Sequence, residues 1–99
     1  MATPEFLITH EPDQKRFVIH TEAGDAYQEY LLATGRIVIA HTEVPEALEG
    51  QGIGSALAKN ALEYTEANDL KILPLCPFMA TYMRRHPQYH HLLAAGFSV

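Results

Sequence analysis

Between Arg36 and Asn68 an apolar run, three alternating glycines and an amphipathic helix follow one another with no linker. Arg36 to Glu43, RIVIAHTE, is the strongest strand signal of the chain. Ile37, Val38 and Ile39 form a continuous apolar run, as expected of a strand buried on both faces. Gly50, Gly52 and Gly54 come next. Ile53, Leu57, Ala61 and Tyr64 then recur at steps of four, four and three, which traces one face of a helix from about Gly52 to Asn68. This order builds an anion cradle. Glycine takes positive φ freely and carries no Cβ, so successive backbone N–H groups can converge on one ligand. The helix adds its unpaired first-turn N–H groups and the positive end of its dipole. A phosphate or pyrophosphate suits such a loop; the plainer alternative is a glycine-rich turn with an N-cap.

The flanking sequence sets the architecture. Phe6 to His10 alternates in a β-rich stretch, and Glu11 to Lys15, EPDQK, bends on Pro12 and Asp13. Arg16 to Thr21 returns as a second strand, and Glu22 to Asp25 is another turn. Ala26 to Ala33 reads as a third strand with Tyr27 and Tyr30 on opposite faces, although Gln, Glu, Leu and Ala also suit a helix. Its place between two turns favours the strand. After the long helix, Asn68-Asp69 is a stop and Lys71 to Leu75 a short strand ended by Pro74 and Pro77. Phe78 to Arg85 and Pro87 to Ala94 read as two short helices, with Gly96 as a terminator. The expected fold class is therefore α+β: one mostly antiparallel sheet of about five strands. The fifth strand lies parallel beside the fourth after a right-handed helical crossover, and C-terminal helices close the domain.

Three kinds of glycine-rich phosphate site need separating. A Walker A loop needs a lysine before its Ser/Thr to reach the β/γ-phosphates, but Ser55 follows Gly54 directly. A dinucleotide fingerprint needs Gly-x-Gly-x-x-Gly within several βαβ units. Here the spacing is Gly50-x-Gly52-x-Gly54; Asp69 lies at a tolerable distance for the ribose acid, but the chain is too short for those units. A coenzyme A pyrophosphate loop is the third kind.

At these residues the chain resembles the GNAT superfamily of N-acetyltransferases, in particular a small single-domain branch. That family's loop reads Gln/Arg-x-x-Gly-x-Gly/Ala at the start of a helix that follows a strand. Gly52-Ile53-Gly54 matches it, whereas Glu49 stands where Gln or Arg is usual. The tail, ILPLCPFMATYMRRHPQYHHLLAAGF, resembles the small branch. The resemblance implies acetyl transfer from acetyl-CoA to an amine. It puts Gln51, Gly52, Ile53, Gly54 and Ser55 on the pyrophosphate and Thr42 to Val44 along the pantetheine arm, with Val44 N–H as the oxyanion donor. Cys76, the only thiol, is then placed beside the reactive end, as an acyl relay or a proton donor to the leaving thiolate; otherwise it is a small buried apolar residue. His41 and Glu43, at i and i+2, share one strand face, and either is a candidate base for the incoming ammonium. Tyr82 is the candidate for the tyrosine that protonates the thiolate, with core packing as its alternative.

Arg84, Arg85, His86, His90 and His91 make a basic patch suited to the coenzyme's 3′-phosphate or an acidic partner, or simply to solvent. A metal site is rejected: Pro87 interrupts the His86/His90 pair and no carboxylate or cysteine completes a close set.

Composition bounds the rest. Ninety-nine residues make one domain, residues 1–99, which buries roughly 60–65% of its unfolded-chain surface. A net charge of −5 gives no support for nucleic-acid binding and favours cationic acceptors such as polyamines or lysine-rich segments. One cysteine excludes an internal disulfide and suits the cytoplasm. No run of about 18 apolar residues spans a membrane, and MATPEFLITH lacks the regions of a signal peptide. Only five residues precede the first expected strand, so the acceptor site is expected to be shallow or completed by a second subunit or a protein substrate, the oligomeric state being open. Two functions stand: an acetyl-CoA-dependent N-acetyltransferase acting on a small amine, a protein lysine or an N-terminus, and a non-catalytic coenzyme A-binding sensor or interaction module.

Overall fold

Five strands form one sheet in chain order, β1-β2-β3-β4-β5. The computed structural model describes residues 6–99; residues 1–5, part of the segment read for a targeting signal, lie outside the described residues. The strands are β1 (Thr9–Glu11), β2 (Arg16–Thr21), β3 (Gly24–Ala33), β4 (Arg36–Glu43) and β5 (Lys71–Pro74). The first four pair antiparallel and β4 pairs β5 in parallel. The crossover is α1 (Ile53–Ala67), and α2 (Pro77–Arg85) follows β5. The α+β sheet expected from the sequence is the one observed.

Boundaries move where turn chemistry decides them. The first strand is Thr9–Glu11 rather than Phe6 to His10, because Glu11 still pairs with Arg16 and the bend is a 3₁₀ turn over Pro12–Gln14. Lys15 closes that turn through its N–H to the Pro12 carbonyl. Phe6 and Ile8 pack against the core without pairing in the sheet. β3 starts at Gly24, since Thr21 pairs with it and only Glu22-Ala23 turn the hairpin; the Thr21 hydroxyl donates to the Gly24 carbonyl at 2.6 Å. Pro87–Leu92 is a 3₁₀ segment, not an α-helix. Its chain then straightens so that Leu93 bridges Ile72 and the Ala94 N–H reaches the Ile72 carbonyl at 2.9 Å, covering the β5 edge.

α1 buries Ile53, Leu57, Ala58, Ala61 and Leu62. They join Phe17, Ile19, Ala26, Tyr30, Ile37 and Ile39 of the sheet in one cluster that Met79 and Met83 of α2 complete. Each such large apolar side chain contributes about 1.5–3 kcal/mol by leaving water. Tyr27 and Tyr30 do lie on opposite faces: Ala26, Gln28 and Tyr30 are buried, whereas Tyr27 is half-buried over Arg16. The expectation of β4 buried on both faces is corrected. Ile37 and Ile39 are fully buried but Val38, pointing away from the core cluster, is only half-buried.

The β3–β4 pairing slips once. Tyr30 faces Ile39 and Glu29 faces His41, so Ala40 is an extra residue in β4. Such a bulge resets the in/out alternation: after the inward Ile37 and Ile39, the next inward residue is Thr42, opposite the buried Gln28.

Candidate functional site

The β4–β5 ladder is short. It runs from Arg36↔Lys71 to Ile39↔Pro74, and the Cys76 N–H donates to the Ile39 carbonyl at 3.0 Å as its last rung. Pro74 and Pro77 have no N–H to extend it, and α2 begins at Pro77. β4 continues to Glu43 with β3 as its sheet partner. The strands part there and leave a cleft of about 580 Å³. Thr42, Glu43 and Val44 line one side, Leu48 to Gly50 and Gly52 to Ser55 another, and Phe78 of α2 closes it.

The glycines divide into two kinds. Gly50 and Gly52 each have φ +82°, with nothing within 4 Å of where a Cβ would stand. Backbone conformation therefore favours glycine at these two positions, and the space beside them is open. Gly54 is helical, and a Cβ there would lie 2.6 Å from the tip of the Phe78 ring. Its role is to seat Phe78 against the first turn of α1. That helix starts with no capping side chain and no acid in its first turn. Its first intrahelical bond is Ala56 N–H to Gly52 carbonyl, so the N–H groups of Ile53, Gly54 and Ser55 precede the ladder. Three such donors beside an open loop fit an anionic diphosphate. Glu49, exposed, stands on the cleft wall beside them.

A buried polar chain lies behind the β4 wall. Gln28 Nε2 donates to Thr42 Oγ1 at 3.0 Å, and the Cys76 thiol faces the same oxygen at 3.5 Å. Cys76 is 5% exposed and Gln28 fully buried. His41 and Glu43 lie together on the opposite sheet face, about half-exposed, with Nε2 and Oε2 3.1 Å apart. Tyr82 stands apart from both groups. It stacks on His86 at 4.0 Å between ring centres and lines a small hollow with Ser55, Phe78, Thr81 and Arg85, next to the main cleft.

The residues of the basic patch divide among different partners. Arg85 and His86 border that small hollow. His90 donates to the Met83 carbonyl, while His91 meets Glu66 on α1 at 3.0 Å. Among the described residues no group of three or more His, Cys, Asp or Glu is placed to hold a metal ion, and no helix is long and apolar enough to cross a membrane.

The sequence reading missed Gln28 and Phe78. Gln28 had a signal: a polar residue on the inward period of β3, between Ala26 and Tyr30. Phe78 had none beyond its place after Pro77.

Burial, and then the neighbouring Tyr64, raises the Tyr30 hydroxyl above its ordinary value. Burial, then Tyr89 and Glu63, does the same for Tyr82. The folded state thus holds both protons more tightly than the unfolded chain. The resulting stability is fully present below a tyrosine's usual value of about 10 and is lost as pH rises through the higher folded values. Urea midpoints should fall above about pH 10, and less steeply for Tyr82→Phe. An unchanged alkaline slope in that variant would remove Tyr82 from the account.

Known proteins resemble this chain in sequence and fold. The family model described as GCN5-related N-acetyl-transferase matches residues 16–92, from the start of β2 to the end of the C-terminal 3₁₀ segment. Protein NATD1 of Xenopus tropicalis is 37% identical over 94 residues, 90% of this chain and 86% of that one. Protein NATD1 of Gallus gallus is 32% identical over 88 residues, 86% of this chain and 80% of that one. The NMR solution structure of a GCN5-like protein from Staphylococcus aureus matches with a TM-score of 0.73 at 28% identity, over 99% of this chain and 94% of that chain.

Proposed function

The chain belongs to the GCN5-related N-acetyltransferase family, and from that premise we propose that it transfers an acetyl group from acetyl-CoA to an amine. The observation that carries the proposal is the meeting, in one cleft, of the β4 edge that β5 abandons with the Gly50–Gly52 loop and the uncapped start of α1. The strand end offers backbone groups to an amide-bearing arm. The loop and helix start offer N–H groups to a diphosphate.

In this mechanism Gln51, Gly52, Ile53, Gly54 and Ser55 hold the pyrophosphate through backbone N–H groups, with the Ser55 hydroxyl as an extra donor. Thr42 to Val44 align the pantetheine arm. The amine lone pair attacks the thioester carbon and the C–N bond forms. The Val44 N–H stabilises the oxyanion, a contribution of about 3–4 kcal/mol for a preorganised donor. The C–S bond then breaks and coenzyme A leaves as its thiolate. The ammonium proton passes to the His41–Glu43 pair, whose mutual hydrogen bond and half-exposure suit exchange with water. Tyr82 is a candidate to protonate the thiolate, from its hollow beside Phe78. The negative net charge favours a cationic acceptor, such as a polyamine or a lysine-rich segment.

Direct attack is preferred to a relay through Cys76, because the thiol is buried and hydrogen-bonded to Thr42. Cys76→Ala should keep turnover within a few-fold of wild type; a loss of about a thousandfold, the scale of removing a covalent nucleophile, would establish the relay. The test of the whole proposal is calorimetric titration with acetyl-CoA followed by thiol release over a panel of amines. Saturable binding with turnover is the expected result. Binding without turnover on any amine would favour a coenzyme A sensor instead.

Glu49 is the residue that works against the ligand, since a carboxylate on the wall repels a diphosphate. Two charges near 4 Å in water interact by about 1 kcal/mol. Glu49→Gln should therefore tighten acetyl-CoA about two- to fivefold, with the gain shrinking in high salt. Calorimetry at two ionic strengths checks this. Equal or weaker binding in the variant would mean that the carboxylate turns away from the bound diphosphate.

A further inference from the structure

Thr42 receives more hydrogen bonds than a strand residue needs. Its Oγ1 lies 3.0 Å from Gln28 Nε2 and 3.5 Å from Cys76 Sγ. A threonine hydroxyl accepts two hydrogen bonds and donates one. Here both accepting positions are taken from within the protein, and among the described residues no acceptor is recorded for the hydroxyl proton. Thr42 is half-buried and is one of the residues that line the cleft. The reverse polarity is disfavoured on the Cys76 side, because the buried thiol has Thr42 as its acceptor and would otherwise strand its proton. It is disfavoured on the Gln28 side as well. The amide N–H₂ group reaches both Thr42 Oγ1 and, at 3.7 Å, the Met79 sulfur. Turning the amide over would set its oxygen, which only accepts, against the Met79 sulfur, which also only accepts.

This arrangement is costly to the fold. Gln28 Oε1 is buried with no hydrogen-bond partner, whereas a leucine or methionine at the same inward position would strand nothing. We propose that Gln28 and Cys76 fix the Thr42 hydroxyl as a hydrogen-bond donor into the cleft, where it meets the carbonyl oxygen of the acyl thioester. The inference rests on the acetyl-CoA reading given above. Gln28 is then a positioning residue, and its buried amide serves to orient a neighbour.

The test compares wild type, Thr42→Val, Thr42→Ser and Gln28→Leu. In ligand-free protein the S–H stretching band of the only cysteine reports the thiol's acceptor. Thr42→Val should move it to higher frequency and Thr42→Ser should leave it in place. In titrations, Thr42→Val should weaken acetyl-CoA about five- to tenfold, the worth of one hydrogen bond, and free coenzyme A about twofold or less. Thr42→Ser should restore the difference. The carbonyl stretch of bound ¹³C-acetyl-CoA should rise in Thr42→Val, and partly in Gln28→Leu, which should be as stable to urea as wild type. Equal weakening of both ligands, or a carbonyl band unmoved by Thr42→Val, would overturn the proposal and leave Thr42 a structural residue. No binding of either ligand by wild type would instead overturn the acetyl-CoA reading itself, and this inference with it.

Discussion

Replacing Gly52 by tryptophan is expected to abolish acetyl-CoA binding while the protein stays folded. Gly52 has φ +82° and no atoms within 4 Å of a would-be Cβ, and it stands on the cleft wall at the N-cap of α1. A side chain there meets no steric wall, so the cost to the fold is that of one L-residue in the left-handed region, about 1–2 kcal/mol. A domain of ordinary stability, about 5–15 kcal/mol, tolerates that. The indole, by contrast, occupies the space between the β4 edge and the helix start. The expected result is a wild-type circular dichroism spectrum with no saturable heat up to about millimolar ligand, a loss of several kcal/mol if the wild type binds in the micromolar range. Wild-type affinity in the variant would move the coenzyme out of this cleft.

Leu57→Ala should be the most destabilising of the substitutions considered. Leu57 is fully buried, on the α1 face that packs against the sheet, two residues beyond Ser55. Truncating a buried leucine costs about 2–5 kcal/mol, depending on how far the site collapses. In a domain of this size each kcal/mol lowers the unfolding temperature by about 4–8 °C, so a fall on the order of 10–30 °C is expected. Because α1 carries both the core and the anion-binding turn, saturating acetyl-CoA should recover part of the loss, about 2.7 kcal/mol at a hundredfold excess over Kd. Urea titration with and without ligand measures both quantities. A loss below about 1 kcal/mol would mean that α1 is anchored mainly by other residues.

The sequence carried the elements whose signals are local. Arg16 to Thr21 and Arg36 to Glu43 were legible as strands because β-branched runs between turn residues have few other uses. The long helix was legible from Ile53, Leu57, Ala61 and Tyr64. The loop could be read as an anion site because glycine need and helix start are both written in adjacent residues. What depended on pairing across the sheet was not legible. The Ala40 bulge arises only when β3 and β4 are set side by side, and it puts Thr42 inward against Gln28 while His41 and Glu43 share the other face. Gly54 looked like a third ligand glycine, yet its demand comes from Phe78, 24 residues away in sequence. The basic residues 84–86 and 90–91 lie close in sequence, whereas the 3₁₀ segment between them sets His91 against Glu66, with Arg85 and His86 at the hollow beside the cleft. The C-terminal helix failed for a related reason: the chain there is drawn straight by the free edge of β5.

The strand order has a kinetic side. In a sheet whose spatial order is its chain order, β1 to β4 can zip as successive hairpins, each closing a short loop at little entropic cost. The β4–β5 contact is different, since Arg36 meets Lys71 across the whole of α1, and such non-local closures come late in folding. The cleft lies at that junction. Its β4 and loop walls are neighbours in sequence, but Phe78 of α2 closes it only once β5 has been set beside β4, so a ligand held between them acts as a clasp on that late step.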